Sequence, residues 1–147
     1  MVFPEMVRKG NQMYAHLRIA DLANAEFSEL TSPDDPVDDA NAEWNPDGER
    51  LAISRQYTDD RYTRGHQVYL LTPSDGTIEP LVVDFRYNTH FFEWHPDGKL
   101  LLMQRFPEVD DNGQLRSDGL PEIWTYDLDT QQLIKVATDA FQPRWVP

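Results

Sequence analysis

The 147-residue chain carries 39% hydrophobic residues with four Trp, six Tyr and seven Phe, enough to build the core of one ordinary domain and to exclude a disordered chain. Thirteen basic against twenty-six acidic residues leave a formal net charge of −13, which repels a phosphate backbone at long range. No nucleic acid is expected as a partner, and no membrane either, because apolar runs such as Leu100 to Met103 fall far short of the ~20 residues a spanning helix needs. The absence of cysteine removes disulfides, thiol nucleophiles and Cys-ligated zinc.

The first residues, "MVFPEMVRKG", place their basic pair after the apolar residues and have no apolar stretch of about 7 to 15 residues, so they do not read as a secretory signal. A cytoplasmic location follows if this N-terminus is native. The segment Tyr14 to Leu30 lacks Pro and Gly and spaces Leu17, Leu22, Phe27 and Leu30 in a partly helical way. Its later copies are interrupted by Pro73 and Gly76, however, which favours two strands there, "QMYAHLRI" and "FSELTS".

Farther along, "AEWNPDGERLAI" and "FEWHPDGKLLLM" repeat one phrase, and "FQPRWVP" is a partial third copy. Trp44 and Trp94 are 50 residues apart, Trp94 and Trp145 are 51, and Pro46, Pro96 and Pro147 keep step. Periods of about 40 to 50 residues are the signature of propellers. A second register places aromatics at Tyr14, Tyr69 and Trp124, both steps equal to 55. Each Pro-Asp-Gly is a turn: Pro sets φ near −65°, Asp caps the bend and Gly takes the left-handed corner. The short apolar segments after it, Leu51 to Ile53 and Leu100 to Met103, suit buried strands. Strands rich in Val, Ile, Tyr and Trp follow, then a turn such as Ser74-Asp75-Gly76, then a fourth strand in "IEPLVVD" and "QLIKVATD".

The phrase W-x-P-D-G-x-x-L at Trp44, Pro46, Asp47, Gly48 and Leu51, and again at Trp94, Pro96, Asp97, Gly98 and Leu101, resembles the TolB-like repeats of β-propeller proteins, with Asn45 and His95 in place of the usual Ser. The resemblance covers nearly the whole chain. It implies an all-β fold of four-stranded blades round a central channel. It implies little about activity, since such folds serve as binding domains, as gates on peptidases and occasionally as lyases.

With strands lettered A to D from the channel outward, the chain is expected to run B-C-D over about 1–40, a blade over about 41–88, a blade over about 89–139 and a lone strand A over about 140–147. That amounts to three four-stranded blades, half of a six-bladed propeller closed by dimerisation. Met1, Val2 and Phe3 of one chain would meet Phe141, Trp145 and Val146 of the other, in a homodimer formed by exchange of strands.

The longest loops, about 54–66 and 104–121, share one face with the acidic D-A loop at Asp34, Asp35, Asp38 and Asp39. Asp59, Asp60, Arg61, Arg64, Asp110, Asp111 and Arg116 make that face mixed in charge, suited to a protein or other ligand. Glu108, Asp110, Asn112 and Gly113 have the spacing that opens a calcium loop, but position 12 is Gly119 where the closing carboxylate belongs, so calcium is not expected. His16, His66, His90 and His95 fall at different points of the repeat, which argues against a shared metal site. No nucleophile elbow, H-E-x-x-H or phosphate loop is present. The sequence therefore points to a non-catalytic propeller module without cofactor or metal. The competing reading is a lyase or hydrolase with carboxylates or histidines at the channel mouth.

Overall fold

The computed structural model describes residues 1–116 and 119–146. They form eleven strands in three antiparallel sheets, with no helix among the described residues. The first sheet has three strands in the order β1 (Val2–Lys9), β2 (Gln12–Asp21) and β3 (Glu26–Glu29). The second runs β4 (Val37–Trp44), β5 (Leu51–Tyr57), β6 (Gln67–Thr72) and β7 (Thr77–Val82); the third runs β8 (Tyr87–Trp94), β9 (Leu100–Pro107), β10 (Glu122–Asp127) and β11 (Gln132–Thr138). Each four-stranded sheet is a plain meander, and among the described residues no strand lies beside β1 on its outer side.

The Pro-Asp-Gly turns close as their chemistry requires. The Gly48 amide donates to the Asn45 carbonyl (2.9 Å) and that of Gly98 to His95 (2.8 Å), with both glycines at φ +73°. Asp47 and Asp97 accept the amides of Glu49 (2.8 Å) and Lys99 (2.9 Å).

Alternation along the strands gives each sheet two faces, and the sheets stack on their apolar ones. Leu17 of the first sheet packs with Leu51, Ile53, Tyr69 and Leu71 of the second. Ala52, Val68 and Val82 on the other side of that second sheet pack with Phe92, Trp94, Leu101 and Met103 of the third. Polar bonds knit the same seams: Asp38 accepts the Ala15 amide (2.7 Å), Asn88 accepts the His66 amide (2.9 Å), and Ser54 donates to the Thr89 carbonyl (2.7 Å). The Trp94 indole N–H reaches back one sheet to the Glu43 carbonyl (3.2 Å), and the Trp145 indole reaches the Glu93 carbonyl (3.3 Å). The tryptophans therefore serve the packing of blade on blade.

Three expectations change. Residues 140–146 form no strand, because no neighbouring strand lies beside them to complete a ladder; Pro147 lies outside the described residues. The first strands of the two complete sheets begin at Val37 and Tyr87, ahead of the expected blade starts at 41 and 89. The aromatic register fails in its first copy. Counting back from the turns Asp21–Glu26, Thr72–Thr77 and Asp127–Gln132, the counterpart of Tyr69 and Trp124 is Arg18, not Tyr14. The cause is a tight β1–β2 hairpin with Gly10 at φ +63°: where the other sheets have a long loop, β2 runs on to ten residues against six in β6.

Candidate functional site

The B-C and D-A loops gather at one end of the sheets. The Thr58 amide bonds the Pro36 carbonyl (2.8 Å), the Glu108 amide bonds Arg86 (2.8 Å), and Arg86 Nη1 approaches Asp111 at 3.5 Å. On this end Asp59 receives the Arg61 amide and guanidinium, and that side-chain hydrogen bond holds the Asp59 carboxyl below its usual range. The Arg61 guanidinium lies 4.1 Å from the centre of the Tyr57 ring. Asp60 and Arg64 are exposed. Asp110 accepts the amides of Gln114 (2.8 Å) and Asn112 (2.9 Å), the first of which does most to keep it ionised. The Arg116 amide bonds the Glu108 carbonyl (2.8 Å). Glu108 itself accepts from Asn88 (3.2 Å), so the acidic groups at the calcium-like spacing are engaged separately; Asp118 lies outside the described residues. Beside these loops Arg86, Tyr87, Asp111, Arg116, Glu122 and Lys135 line a groove of about 210 Å³.

Two of the four histidines are not scattered. The rings of His66 and His90 lie 5.0 Å apart, and His66 Nε2 is 3.2 Å from Asp38 Oδ2. His66 is buried just before β6, whereas His90 sits at the bulge between Thr89 and Phe91 in β8 of the next sheet. Desolvation, then the neighbouring His66, push His90 below the ordinary imidazole range. Desolvation opposes the Asp38 charge, but the bonds from His66 and the Ala15 amide prevail and lower its pKa. The pair is a ring contact across the seam, with His66 held by the Asp38 carboxylate. The sequence hid it because the two positions occupy different places in the repeat and meet only across a seam.

A second cluster joins the three strands of the first sheet. His16, 2% exposed, faces Glu5 through Nε2 (3.0 Å) and Glu29 through Nδ1 (2.9 Å), with all three ligand atoms within 4.8 Å of one another. Arg18 bonds Glu5 at 3.0 Å and comes within 3.8 Å of Glu29, so a cation already bridges the carboxylates. The arrangement is an ion-pair network rather than an open metal cradle.

Buried arginines mark the seams. Arg55 meets Asp39 through two bonds of 2.7 and 2.9 Å with both side chains inaccessible. Its counterpart fifty residues on is Arg105, 0% exposed, which stands opposite Thr89 and makes no guanidinium hydrogen bond among the described residues. Arg105 lies over the Tyr87 ring at 4.1 Å, with Asp84 at 3.8 Å as its nearest carboxylate.

Sheets stacked in sequence, with a seam at each step and the long loops at one end, define an arc of a β-propeller. The solved structures extend this to a TolB-like propeller fold. TolB from Acinetobacter baumannii is 26% identical, with a TM-score of 0.60 over 84% of this chain and 26% of that one. A putative TolB from Agrobacterium tumefaciens, 12% identical, has a TM-score of 0.69 over 93% of this chain and 45% of that one. An oligogalacturonate lyase from Vibrio parahaemolyticus, 12% identical, has a TM-score of 0.53 over 86% and 29%. The chain thus spans between about a quarter and under half of the length of these proteins. No family model matches the sequence, and no curated protein matches it.

Proposed function

We propose that this chain is a non-catalytic binding or scaffold module that presents its loop end to a protein or other ligand. The observation that carries the reading is the convergence of loops: Arg86 of a D-A loop meets Asp111 of a B-C loop, so Asp59, Asp60, Arg61, Arg64, Asp110, Asp111 and Arg116 belong to one end of a rigid scaffold. The TolB-like neighbours support a module of this class. The test is a titration of an identified partner against the chain with Asp59, Asp60, Asp110 and Asp111 all changed to Lys. A weaker complex with an unchanged far-UV spectrum supports the reading, and unchanged affinity sinks it.

The same reading includes ring closure by a second copy, giving a six-bladed homodimer. Three blades are too few for a ring, since propellers have about 4 to 8. Two arcs of this size also approach the length of the Agrobacterium chain, of which one covers 45%. The outer faces of the arc are apolar in part, with Phe27 59% exposed on the first sheet and Ile134 53% and Val136 60% exposed on the third. Burial of such faces favours association. A stable single-chain mass at micromolar concentration in light scattering would remove this part of the reading.

A further inference from the structure

The two indole bonds across the seams follow one rule. The tryptophan of each Trp-x-Pro phrase donates to the carbonyl just before the corresponding tryptophan one sheet back: Trp94 to Glu43, Trp145 to Glu93. Trp44 holds the same position at the end of β4, but the carbonyl it would meet belongs to a strand beside β1, and the first sheet has none there.

The edge that would receive that strand can be read residue by residue. Met1 and Ala20 exchange two backbone bonds, of 2.9 and 2.8 Å. Because an antiparallel ladder alternates, Phe3 and Glu5 turn their backbone groups towards β2, while Val2, Pro4 and Met6 turn theirs to the open side. The turn alignment that equates Arg18 with Tyr69 and Trp124 also equates Val2 with Ala52 and Leu102. Those residues pair with Glu43 and Glu93. The residue due opposite Val2 is therefore the next member of that series, which the spacing of the tryptophans makes Arg144.

We propose that the open edge of β1 is a docking site for residues 141–146 of a second copy of this chain, with that copy's Arg144 opposite Val2 and its carbonyl accepting the Trp44 indole N–H. The proposal rests on the ring-closure reading and adds the register. The segment suits the role. It forms no strand of its own, yet Trp145 and the bond from Arg144 to Glu93 (3.2 Å) already hold it against the third sheet, where the first strand of a following blade would lie. Its proline is also tolerated. Pro143 falls at the position of Ala42, which the alternation turns away from the partner edge, so its missing N–H costs no bond. Pro4 restricts the site further: its carbonyl can accept from the Gln142 amide once that amide gives up its bond to Gln104 Oε1 (2.6 Å), but it returns no donor. The seam would thus hold a two-bond pair at Val2, one bond at Pro4 and the indole bond of Trp44.

Sedimentation equilibrium of the full chain and three variants tests the register. Val2→Pro removes an outward N–H and leaves the β1–β2 ladder alone, so dimer affinity should fall at least tenfold. Trp44→Phe removes one hydrogen bond from each of two seams, a loss of about fivefold per seam and about 25-fold per dimer. Trp94→Phe, whose bond lies inside the arc, should lower the melting temperature and leave dimer affinity within about twofold. Far-UV spectra of the first two variants should match the parent. A parent dimer indifferent to both Val2→Pro and Trp44→Phe overturns the docking register while leaving ring closure through another surface. A parent that stays monomeric at about 100 µM overturns both. Masses that grow without limit and collapse in Val2→Pro support the seam and overturn the closed pair.

Discussion

Arg55 and Asp39 form a buried two-bond ion pair in the seam between the first and second sheets. Removing one member of such a pair strands the other charge, so Asp39→Ala should cost about 3–5 kcal/mol in urea unfolding. Fifty residues on, the same place holds Thr89 opposite Arg105 and has no such pair. Thr89→Asp should supply the missing acceptor and stabilise the chain by about 1–2 kcal/mol, after the cost of burying the carboxylate. A destabilised Thr89→Asp would show that Asp84 and the Tyr87 ring already satisfy Arg105.

Gly48 and Gly98 share φ +73° but not their surroundings. A Cβ on Gly48 meets nothing within 4 Å, whereas one on Gly98 would lie 2.7 Å from Asn45 Oδ1, in a contact where the Asn45 amide donates to the Gly98 carbonyl at 2.9 Å. Gly48→Ala should therefore cost only the left-handed backbone, about 1–2 kcal/mol. Gly98→Ala should cost measurably more, because it also displaces a bond between neighbouring turns. Equal losses in thermal unfolding would remove the role given to Asn45.

The lowered pKa of His90 has a sign that stability can report. The unfolded chain takes up a proton near the ordinary value of 6.5 while folded His90 does not. Stability contributed by this group therefore rises with pH through the window below 6.5; the penalty is full below the folded pKa and absent above the unfolded one. His66 and the carboxylates Asp38 and Glu108 face it, the first opposing its charge and the other two favouring it. His90→Gln should accordingly flatten the decline in urea midpoint between about pH 7 and pH 5. An unchanged slope would place the pH response elsewhere.

Calcium should have little effect. Asp110 is committed to two amides of its own loop and Glu108 to Asn88, and Gly119 supplies no carboxylate. Millimolar calcium or chelator should move the melting temperature by no more than about 2 °C. A rise of many degrees would show that the loop refolds round the ion.

The repeating phrase made the architecture legible because its residues act locally: Pro46, Asp47 and Gly48 build a turn whatever surrounds it, and the strand following each turn is short and apolar. Segments that depend on a neighbour were not legible. Tyr14 matches Tyr69 by spacing, but the tight turn at Gly10 lengthens β2 and hands that place to Arg18. Residues 140–147 read as a lone strand, yet a strand exists only where a ladder partner stands beside it, and residues 140–146 form none. His66 and His90 looked unrelated because a bulge in β8 and the stacking of sheets bring them together. The partner face remained a matter of loop length and charge, since recognition depends on a ligand that a sequence does not contain.

Pro4 bears on what happens to the chain before any ring is closed. An unpaired strand edge normally offers a full row of donors and acceptors to any passing strand, the first step towards fibrils. With a proline between the outward groups of Val2 and Met6, β1 offers a broken row to a generic strand. Such a strand would lose a bond at the middle of the contact, while the proposed matching segment would regain one through the Trp44 indole. Under the proposed closure by a second copy, the proline would act as a filter between synthesis and assembly, disfavouring generic strands at that edge.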